Sequence, residues 1–407
     1  MQIEVKQAGR NFEALHEAMQ AYVDAQRLPF ISTVIVKGQE AIDVKHCVAD
    51  QGNGTTLTLG DDTLFRANSV SKIVTSIAAM MLREQGLLAL DDPLQKYLPE
   101  FTDLQVLDST SEKGQVPARS SITLRHLLSH TSGLSYGFIE PESVIDQRYN
   151  QAGVNPMLLP ADSTLDDLCK LLAQLPLAFH PGEGWRYSFA TDVMARVIEV
   201  VSGQRFDHFL QENILNALGM VDTGFYVPKQ KQSRFLPAYS LADPTTYSAP
   251  VGDVIDSPVA GMFSQPTQLL SGGGGLVSTL HDCYQLLRLI MSGGQYDGGS
   301  LLSKESLQLM QQDQCPADVF VQSPSWHMPS TKFGLGFAIK QKPEQGEPAS
   351  AAGEFHWGGI FGLHLWVSPI ANIGGLCMTQ VFPGFLHPFS RQFKQLAYQL
   401  AADDSAE

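Results

Sequence analysis

The sequence has few cysteines, and their arrangement argues against a disulfide scaffold and against a zinc site. The five cysteines are odd in number, lie far apart and form no Cys-x-x-Cys pair: Cys47, Cys169, Cys283, Cys315 and Cys377. Free, mostly buried thiols are the expectation for this pattern. The histidines form no His-Glu-x-x-His motif. We therefore expect no metal and no other cofactor.

Long apolar runs and a surplus of basic charge are also missing. No uninterrupted apolar stretch approaches the roughly 18 residues of a membrane helix, and charges interrupt the N-terminal segment from Glu4 onward. The formal net charge of -15 disfavours nucleic acid as a partner, because phosphate binding requires a basic surface. We expect a soluble, cytoplasmic protein with neither nucleic-acid nor membrane partners. An exported protein whose leader is absent from this sequence is the alternative.

The apolar pattern predicts an α+β fold in which both ends of the chain contribute to one sheet. A helix from about Asn11 to Ala25 precedes two strands on either side of Gly38, and a strongly apolar helix ends at Gly86. Near the other end, FGLGFAIKQ, FHWGGIFGLHLWVSP and IGGLCMTQVF predict three consecutive antiparallel strands, followed by a closing helix.

The middle of the chain has a different character, with short helical segments, prolines and an irregular loop predicted at 137–162. We expect residues 1–88 and 276–407 to form a lobe with an antiparallel sheet flanked by the terminal helices. Residues 89–275 are expected to form a mainly helical lobe. A substrate site would then lie in the cleft between the lobes.

A serine and a lysine one helical turn apart are the first candidates for chemistry. In Asn68-Ser69-Val70-Ser71-Lys72, the spacing puts Ser69 and Lys72 on one helix face, whereas Ser71 points elsewhere. A serine needs a base to act as a nucleophile, and a lysine can serve if burial and cationic neighbours lower its pKa. Alone, the pattern is equally typical of a capping serine beside a surface lysine, although the helix that follows is too apolar to be mostly solvated.

Further motifs follow in order, and together they resemble one family. They are LFRANSVSK, LDDPLQKYLPEF, ITLRHLLSHTSGL, HPGEGWRYSFATDV, SGGGGLVST, FGLGF and HWGGIFG. From about residue 30 to 385 the chain resembles the serine β-lactamase-like superfamily, which contains class C β-lactamases, DD-peptidases, family VIII bacterial carboxylesterases and related acyltransferases. The resemblance implies a β-lactamase/transpeptidase-like fold, with Ser69 as the nucleophile and Lys72 as its partner.

The second motif of that family, Tyr-x-Asn, reads Tyr187-Ser188-Phe189 here. The resemblance implies that Tyr187 is the general base, held as a phenolate or nearly so by Lys72. Taken alone, Tyr187 would be read as an aromatic core residue beside Trp185. Phe189 replaces the asparagine that contacts the acylamide group of β-lactam and peptide substrates. This departure disfavours those substrates and is compatible with esters.

The third motif is read from His356-Trp357-Gly358-Gly359, which fits two registers. It matches the His-x-Gly of some peptidases and, one residue later, the Trp-Gly-Gly of family VIII esterases. We expect substrate contacts from His356, Trp357 and Gly358, and also from Phe189. Because strand residues alternate, His356 and Trp357 cannot both face the cleft in a regular strand.

An oxyanion hole requires two converging N–H groups. The Ser69 amide is the first, and we predict the Gly359 amide as the second, since glycine permits close approach to a substrate. In the other register the second amide would be that of Ile360.

Three further patterns contain residues that could be functional. GLSYG at 133–137 matches Gly-x-Ser-x-Gly, but Ser135 follows a helix rather than a strand, so we do not expect a nucleophile there. His126 and His130 are one turn apart without an accompanying carboxylate, and we expect a structural role for both. The loop at 326–328, Trp-His-Met, either lines the acyl pocket or simply packs.

The resulting prediction is a serine carboxylesterase that cleaves small-molecule esters of short acyl chains through an acyl-serine. A β-lactamase, a D-amino-acid peptidase or amidase, and an acyltransferase are alternatives on the same site. A non-catalytic ligand-binding member agrees less well with intact Ser69, Lys72 and Tyr187.

Overall fold

The computed structural model describes residues 2–6, 11–49, 57–154, 162–322, 328 and 330–402. The α-helices of these ranges are α1 Glu13–Asp24, α2 Ser71–Glu84, α3 Leu124–Leu128, α4 Val144–Gln151, α5 Leu165–Leu172, α6 Ala190–Ser202, α7 Phe206–Leu210, α8 Asn216–Leu218, α9 Leu280–Met291, α10 Lys304–Met310 and α11 Pro388–Ala402. The strands are β1 Phe30–Lys37, β2 Glu40–Val48, β3 Leu64–Arg66, β4 Gln105–Leu107, β5 Gln115–Pro117, β6 Ala238–Leu241, β7 Val251–Asp256, β8 Val277–Thr279, β9 Gln295–Tyr296, β10 Gly299–Ser300, β11 Thr331–Phe333, β12 Ala338–Lys340, β13 Phe355–Gly359, β14 Leu363–Ser368, β15 Ile373–Met378 and β16 Val381–Phe382.

A seven-stranded antiparallel sheet joins the two ends of the chain, in the order β11-β12-β13-β14-β15-β1-β2. The first strand pairs with the last long one, so that Val34 lies opposite Leu376. Side chains alternate between the two faces. Ile35 belongs to the apolar cluster that includes Leu15 of α1 and Phe393 of α11, whereas Val34 belongs to the main core. The predicted α+β fold, with an antiparallel sheet flanked by the terminal helices, is confirmed.

Two details of the predicted secondary structure are wrong. FHWGGIFGLHLWVSP forms two strands, β13 and β14, because the chain turns at 360–362, where Gly362 has a φ of +89°. The predicted irregular loop contains the helix α4, whose first turn is capped when the Ser143 hydroxyl accepts a hydrogen bond from the Asp146 N–H. Pro141, two residues before Ser143, is more typical of a loop than of a helix start, so the sequence did not predict this helix.

Helix α2 is the element that positions the candidate site. Its residues from Ser71 to Leu82 are all buried, including the polar side chains of Ser71, Lys72, Thr75 and Ser76. It packs on α6 and lies in the main core, which also contains side chains from the sheet. The boundary between a sheet lobe and a helical lobe at 88 and 275 stays a prediction. Within the described ranges no helix combines the length and the apolar character needed to span a membrane.

Candidate active site

Ser69 lies in a single 3-10 turn, Asn68–Val70, that leads directly into α2. Asn68 adopts a left-handed backbone with φ +45°, and its buried side-chain oxygen has no hydrogen-bond partner among the described residues. Backbone strain of this kind concentrates at functional sites. Ser69 is partly exposed, whereas Val70 and Ser71 are buried. Ser69 therefore carries the hydroxyl of this segment that a ligand can reach.

Ser71, the second serine of the segment, has a structural contact instead. Its hydroxyl oxygen accepts a hydrogen bond of 3.1 Å from the backbone N–H of Leu276. The helix start is thereby tied to the chain that follows the glycine run at 272–275. The Ser71 hydroxyl therefore contacts Leu276, whereas the Ser69 hydroxyl is near Lys72.

Lys72 is fully buried, and its ammonium nitrogen has three close oxygen neighbours. Nζ lies 3.4 Å from the Ser69 hydroxyl, 2.8 Å from the Tyr136 hydroxyl and 2.6 Å from the Gly273 carbonyl oxygen. Burial lowers the pKa of Lys72 to about 7, and the carboxylate of Asp192 partly opposes this shift. The cationic neighbours expected from the sequence are not needed, because desolvation supplies the shift. Close to neutral pH, a large fraction of Lys72 is free amine.

Tyr187 completes the predicted group. Its hydroxyl oxygen accepts a hydrogen bond of 3.3 Å from the Trp357 indole, and its ring centre lies 4.6 Å from Lys72 Nζ. Burial raises the pKa of Tyr187 above its ordinary value of 10.0, although hydrogen bonds with Ser69 and Trp357 oppose the shift. The expected phenolate is therefore wrong, and the hydroxyl keeps its proton at neutral pH. Ser69, Lys72 and Tyr187 nevertheless lie together as predicted.

Tyr136 is a residue of this group that sequence reasoning missed. Its hydroxyl oxygen accepts the 2.8 Å hydrogen bond from Lys72, and burial raises its pKa well above the ordinary value. Phe189 packs against the same ring, with 4.5 Å between ring centres. Phe189 is itself buried, and its direct contact with substrate stays a prediction.

Tyr136 is part of GLSYG at 133–137, a motif that was considered only for Ser135. Ser135 is buried, hydrogen-bonded to the Asp146 carboxylate, and accepts a hydrogen bond of 2.7 Å from Arg186 Nε. As expected, it has a structural position.

The two neighbouring histidines also have structural positions. His126 forms a reciprocal capping box with Thr123 at the start of α3. His130 is buried, with its ring centre 4.9 Å from that of Tyr187. Among the described residues no group of three or more His, Cys, Asp or Glu side chains could hold a metal ion.

The third motif divides between the two faces of β13. Trp357 faces the site, since its indole donates to Tyr187. His356 lies opposite Trp366 in β14, and Trp366 packs on Tyr398 of α11 with 5.2 Å between ring centres. His356 is therefore on the face covered by the C-terminal helix. This placement contradicts the expected substrate contact by His356, because strand alternation puts Trp357, not His356, on the face of β13 that carries Tyr187.

Gly359 lies directly against the chain that precedes Ser69. A Cβ atom at Gly359 would be 2.6 Å from the Ala67 carbonyl oxygen, so this close approach requires glycine. At Gly358 a Cβ would instead be 2.9 Å from the His364 ring, on the other face. The expected substrate contact by Gly358 is not supported by this placement.

The choice of Gly359 or Ile360 for the second oxyanion amide stays a prediction. In the loop at 326–328, for which lining the acyl pocket and simple packing were the two alternatives, Trp326 and His327 lie outside the described residues. Met328 is partly buried against the core.

An antiparallel sheet flanked by terminal helices, with a serine at the start of a buried helix and a lysine one turn later, defines the β-lactamase/transpeptidase-like class. The family model described as Beta-lactamase matches residues 15–399, and the chain belongs to this family. The resemblance stated from the sequence is thereby confirmed.

Several relatives and solved structures are similar over most of their length. Esterase EstB of Burkholderia gladioli is 29% identical, over 83% of this chain and 83% of its own. The structure of EstCE1, described as a hydrolase with promiscuous acyltransferase activity, has a TM-score of 0.76 and 26% identity, and covers 94% of this chain and 97% of its own. The LovD6 mutant of simvastatin synthase from Aspergillus terreus has a TM-score of 0.78 at 23% identity, covering 97% of this chain and 95% of its own, and shows the same fold.

Proposed function

We propose that the protein is a serine carboxylesterase of the family VIII type, which cleaves small-molecule esters of short acyl chains through an acyl-serine intermediate. One observation carries the proposal: the buried Lys72 amine, whose pKa is lowered to about 7, lies 3.4 Å from the hydroxyl of the partly exposed residue Ser69. A base close to neutrality within reach of a hydroxyl is what nucleophilic catalysis requires. The similarity to esterase EstB supports the same reaction class.

The proposed reaction begins with proton transfer from Ser69. The free amine of Lys72 takes the proton as Ser69 Oγ attacks the ester carbonyl. The amides of Ser69 and Gly359 stabilise the oxyanion. The departing alkoxide is protonated by the Tyr187 hydroxyl, whose proton is replaced from Lys72. Water then attacks the acyl-serine, with the same groups transferring protons in reverse, and no metal or organic cofactor takes part.

The environment of Ser69 favours an uncharged ester. Phe189 provides no hydrogen-bonding group where the related β-lactamases and peptidases have an asparagine. His356 lies on the opposite face of the sheet, so it cannot anchor a substrate carboxylate, and Trp357 lies on the face beside Tyr187 instead.

Acyl transfer to an alcohol other than water is the second candidate. It is favoured by the similarity to EstCE1, whose description includes promiscuous acyltransferase activity. Adding a primary alcohol to the ester assay separates the two reactions. A new ester that forms faster than free acid accumulates would make the protein mainly a transferase.

A fluorophosphonate probe tests the nucleophile. We expect mass spectrometry to find the adduct on Ser69, and Ser69→Ala to abolish it. Ser71→Ala is the matched control from the same segment and should still be labelled, because the buried Ser71 hydroxyl accepts a hydrogen bond from the Leu276 N–H. An adduct on Ser135, or none on the folded protein, would sink the assignment of Ser69.

A substrate panel tests the reaction class. p-Nitrophenyl esters from acetate to laurate, nitrocefin and a D-Ala-D-Ala peptide are compared by kcat/KM. We expect the highest value for the short esters. Faster turnover of nitrocefin or of the peptide would replace the esterase proposal with a β-lactamase or a peptidase.

The proposal includes a cytoplasmic location. All five cysteines are free thiols, and four are buried, which agrees with a reducing compartment. Fractionation of the native host, with the protein detected by antibody, tests this part of the proposal; recovery outside the cytoplasm would contradict it.

A further inference from the structure

The carboxylate of Asp192 lies behind Lys72 and has no part in the proton transfers described above. Asp192 belongs to the first turn of α6 and is 1% exposed. Its Oδ1 accepts hydrogen bonds from the Ser271 hydroxyl and, at 3.1 Å, from the Gly273 N–H. Its Oδ2 is buried and has no hydrogen-bond partner among the described residues. Burying a carboxylate that is only half satisfied is costly, so its position calls for an explanation.

Gly273 connects this carboxylate to Lys72. The same residue donates its N–H to Asp192 and accepts a hydrogen bond of 2.6 Å from Lys72 Nζ on its carbonyl oxygen. A Cβ atom at Gly273 would be 2.5 Å from Asp192 Oδ2 and 2.8 Å from the Tyr136 hydroxyl. The backbone therefore passes between the carboxylate and the phenol with no room for a side chain.

A second contact holds the same loop against the helix that carries Lys72. The Thr75 hydroxyl donates a hydrogen bond of 2.8 Å to the carbonyl oxygen of Gly272. The loop is thus attached to α6 through Asp192 and to α2 through Thr75. These two contacts together fix the position of the Gly273 carbonyl.

We propose that Asp192 is a positioning residue for Lys72: it holds Gly273 so that the carbonyl orients the Lys72 amine toward Ser69, and its charge balances the ammonium form. The proposal rests on the acyl-transfer role proposed for Ser69 and Lys72. It also explains the glycine at position 273, since only a residue without a side chain fits between Asp192 and Tyr136.

The charges of the two groups agree with this role. Asp192 raises the pKa of Lys72 against the larger effect of burial, and Lys72 lowers the pKa of Asp192 against burial, which raises it. Each group favours the charged form of the other. Removing the carboxylate charge should make Lys72 lose its proton at a lower pH.

The first test measures Lys72 directly by NMR titration of protein labelled with 13C at the lysine side chains, with Lys72→Arg used to assign the signal. In Asp192→Asn, which keeps the shape and an acceptor oxygen, the midpoint of the Lys72 titration should fall by about one pH unit. An unchanged midpoint would overturn the proposal. Ser271→Ala is the matched control, because it removes a contact of Asp192 without its charge, and its midpoint should stay close to wild type. The titration requires no ester turnover, so it gives a result even if the esterase proposal fails.

The second test uses two adjacent glycines and needs no change at Asp192. Gly273→Ala should lower the rate of Ser69 phosphonylation by a fluorophosphonate between about 10- and 100-fold, because the displaced carbonyl no longer orients Lys72. Gly274→Ala is the control, since its Cβ would have no neighbour closer than 3.9 Å, and it should stay within about twofold of wild type. Equal rates for both variants would show that the Gly273 carbonyl does not position the base.

Discussion

Replacing Lys72 by methionine should remove activity and, near neutral pH, relieve a large cost to folding. Burial lowers the pKa of Lys72 from 10.5 to about 7. The interval of about 3.5 pH units corresponds to about 5 kcal/mol, because one unit is equivalent to about 1.4 kcal/mol. Methionine has a similar length, carries no charge and fits an apolar site.

The sign of the pH dependence follows from proton binding. Between about pH 7 and 10.5 the unfolded chain holds a proton on Lys72 that the folded protein does not, so wild-type stability rises with pH in this window. The cost is therefore complete below pH 7 and disappears toward pH 10.5. Methionine also leaves the Tyr136 hydroxyl and the Gly273 carbonyl without the lysine donor, at a cost of about 1–3 kcal/mol each that does not depend on pH.

These contributions combine into a measurable pattern. The net advantage of Lys72→Met at pH 7 is modest, but it should shrink by about 1.4 kcal/mol for each pH unit between pH 7 and 9. Urea unfolding of both proteins at pH 7, 8 and 9 measures this slope. The comparison of Lys72 with Lys72→Met is then repeated with Asp192→Asn in both proteins. This removes any contribution from titration of the Asp192 carboxylate, and the slope should persist. In parallel, kcat/KM should fall by about 10²–10⁴-fold.

A stability difference that stays constant from pH 7 to 9 would refute the reasoning. It would mean that Lys72 keeps an ordinary pKa in the folded protein, and that it is not the neutral base that the mechanism requires. Full activity of Lys72→Met would refute the catalytic part independently.

Three further predictions concern the other groups of the site. Tyr187→Phe should lower kcat/KM by about 10²–10⁴-fold because the leaving group loses its acid. Tyr136→Phe removes one hydrogen bond to Lys72 and should lower kcat/KM by about tenfold. Equal losses in a steady-state ester assay would contradict these separate roles. The pH profile of kcat/KM should fall below about pH 7 as the Lys72 amine gains a proton, and a profile that is flat from pH 6 to 8 would exclude Lys72 as the titrating base. Gly359→Ala should lower kcat by about 10²–10³-fold if the Gly359 amide binds the oxyanion. The reason is that the new Cβ would lie 2.6 Å from the Ala67 carbonyl oxygen and displace the strand. Unchanged kcat in a protein of unchanged Tm would mean that another residue supplies the second amide.

The parts of the fold that were predicted correctly depend on local patterns. Ser69 and Lys72 are one turn apart in a helix, so their proximity follows from spacing alone. The hairpin at Gly38 and the helix end at Gly86 are also local signals, and both glycines have the positive φ that such positions favour. The turn at Gly362 was missed because the apolar pattern runs on through it.

The rest of the site depends on contacts between distant segments. Tyr136 reaches Lys72 from a loop 64 residues further along the chain, a contact that no spacing rule contains. The sequence could not decide on which face of β13 His356 lies. Strand alternation puts His356 and Trp357 on opposite faces but does not say which of them is on the side of the site. The pKa of Tyr187 was misjudged because proximity to a lysine was weighed without the larger effect of burial.

The pairing of β1 with β15 has a consequence for how the protein is made. Ser69 leaves the ribosome early, but Gly359 and Trp357, which lie beside it and Tyr187 in the finished molecule, are synthesised near the end of the chain. Strand β1, which lies inside the sheet beside the edge strand β2, also lacks one of its two neighbours until residues 373–378 have emerged. A nascent chain thus holds its reactive serine without the strand that completes the site, and the assembled site first exists when synthesis is nearly complete.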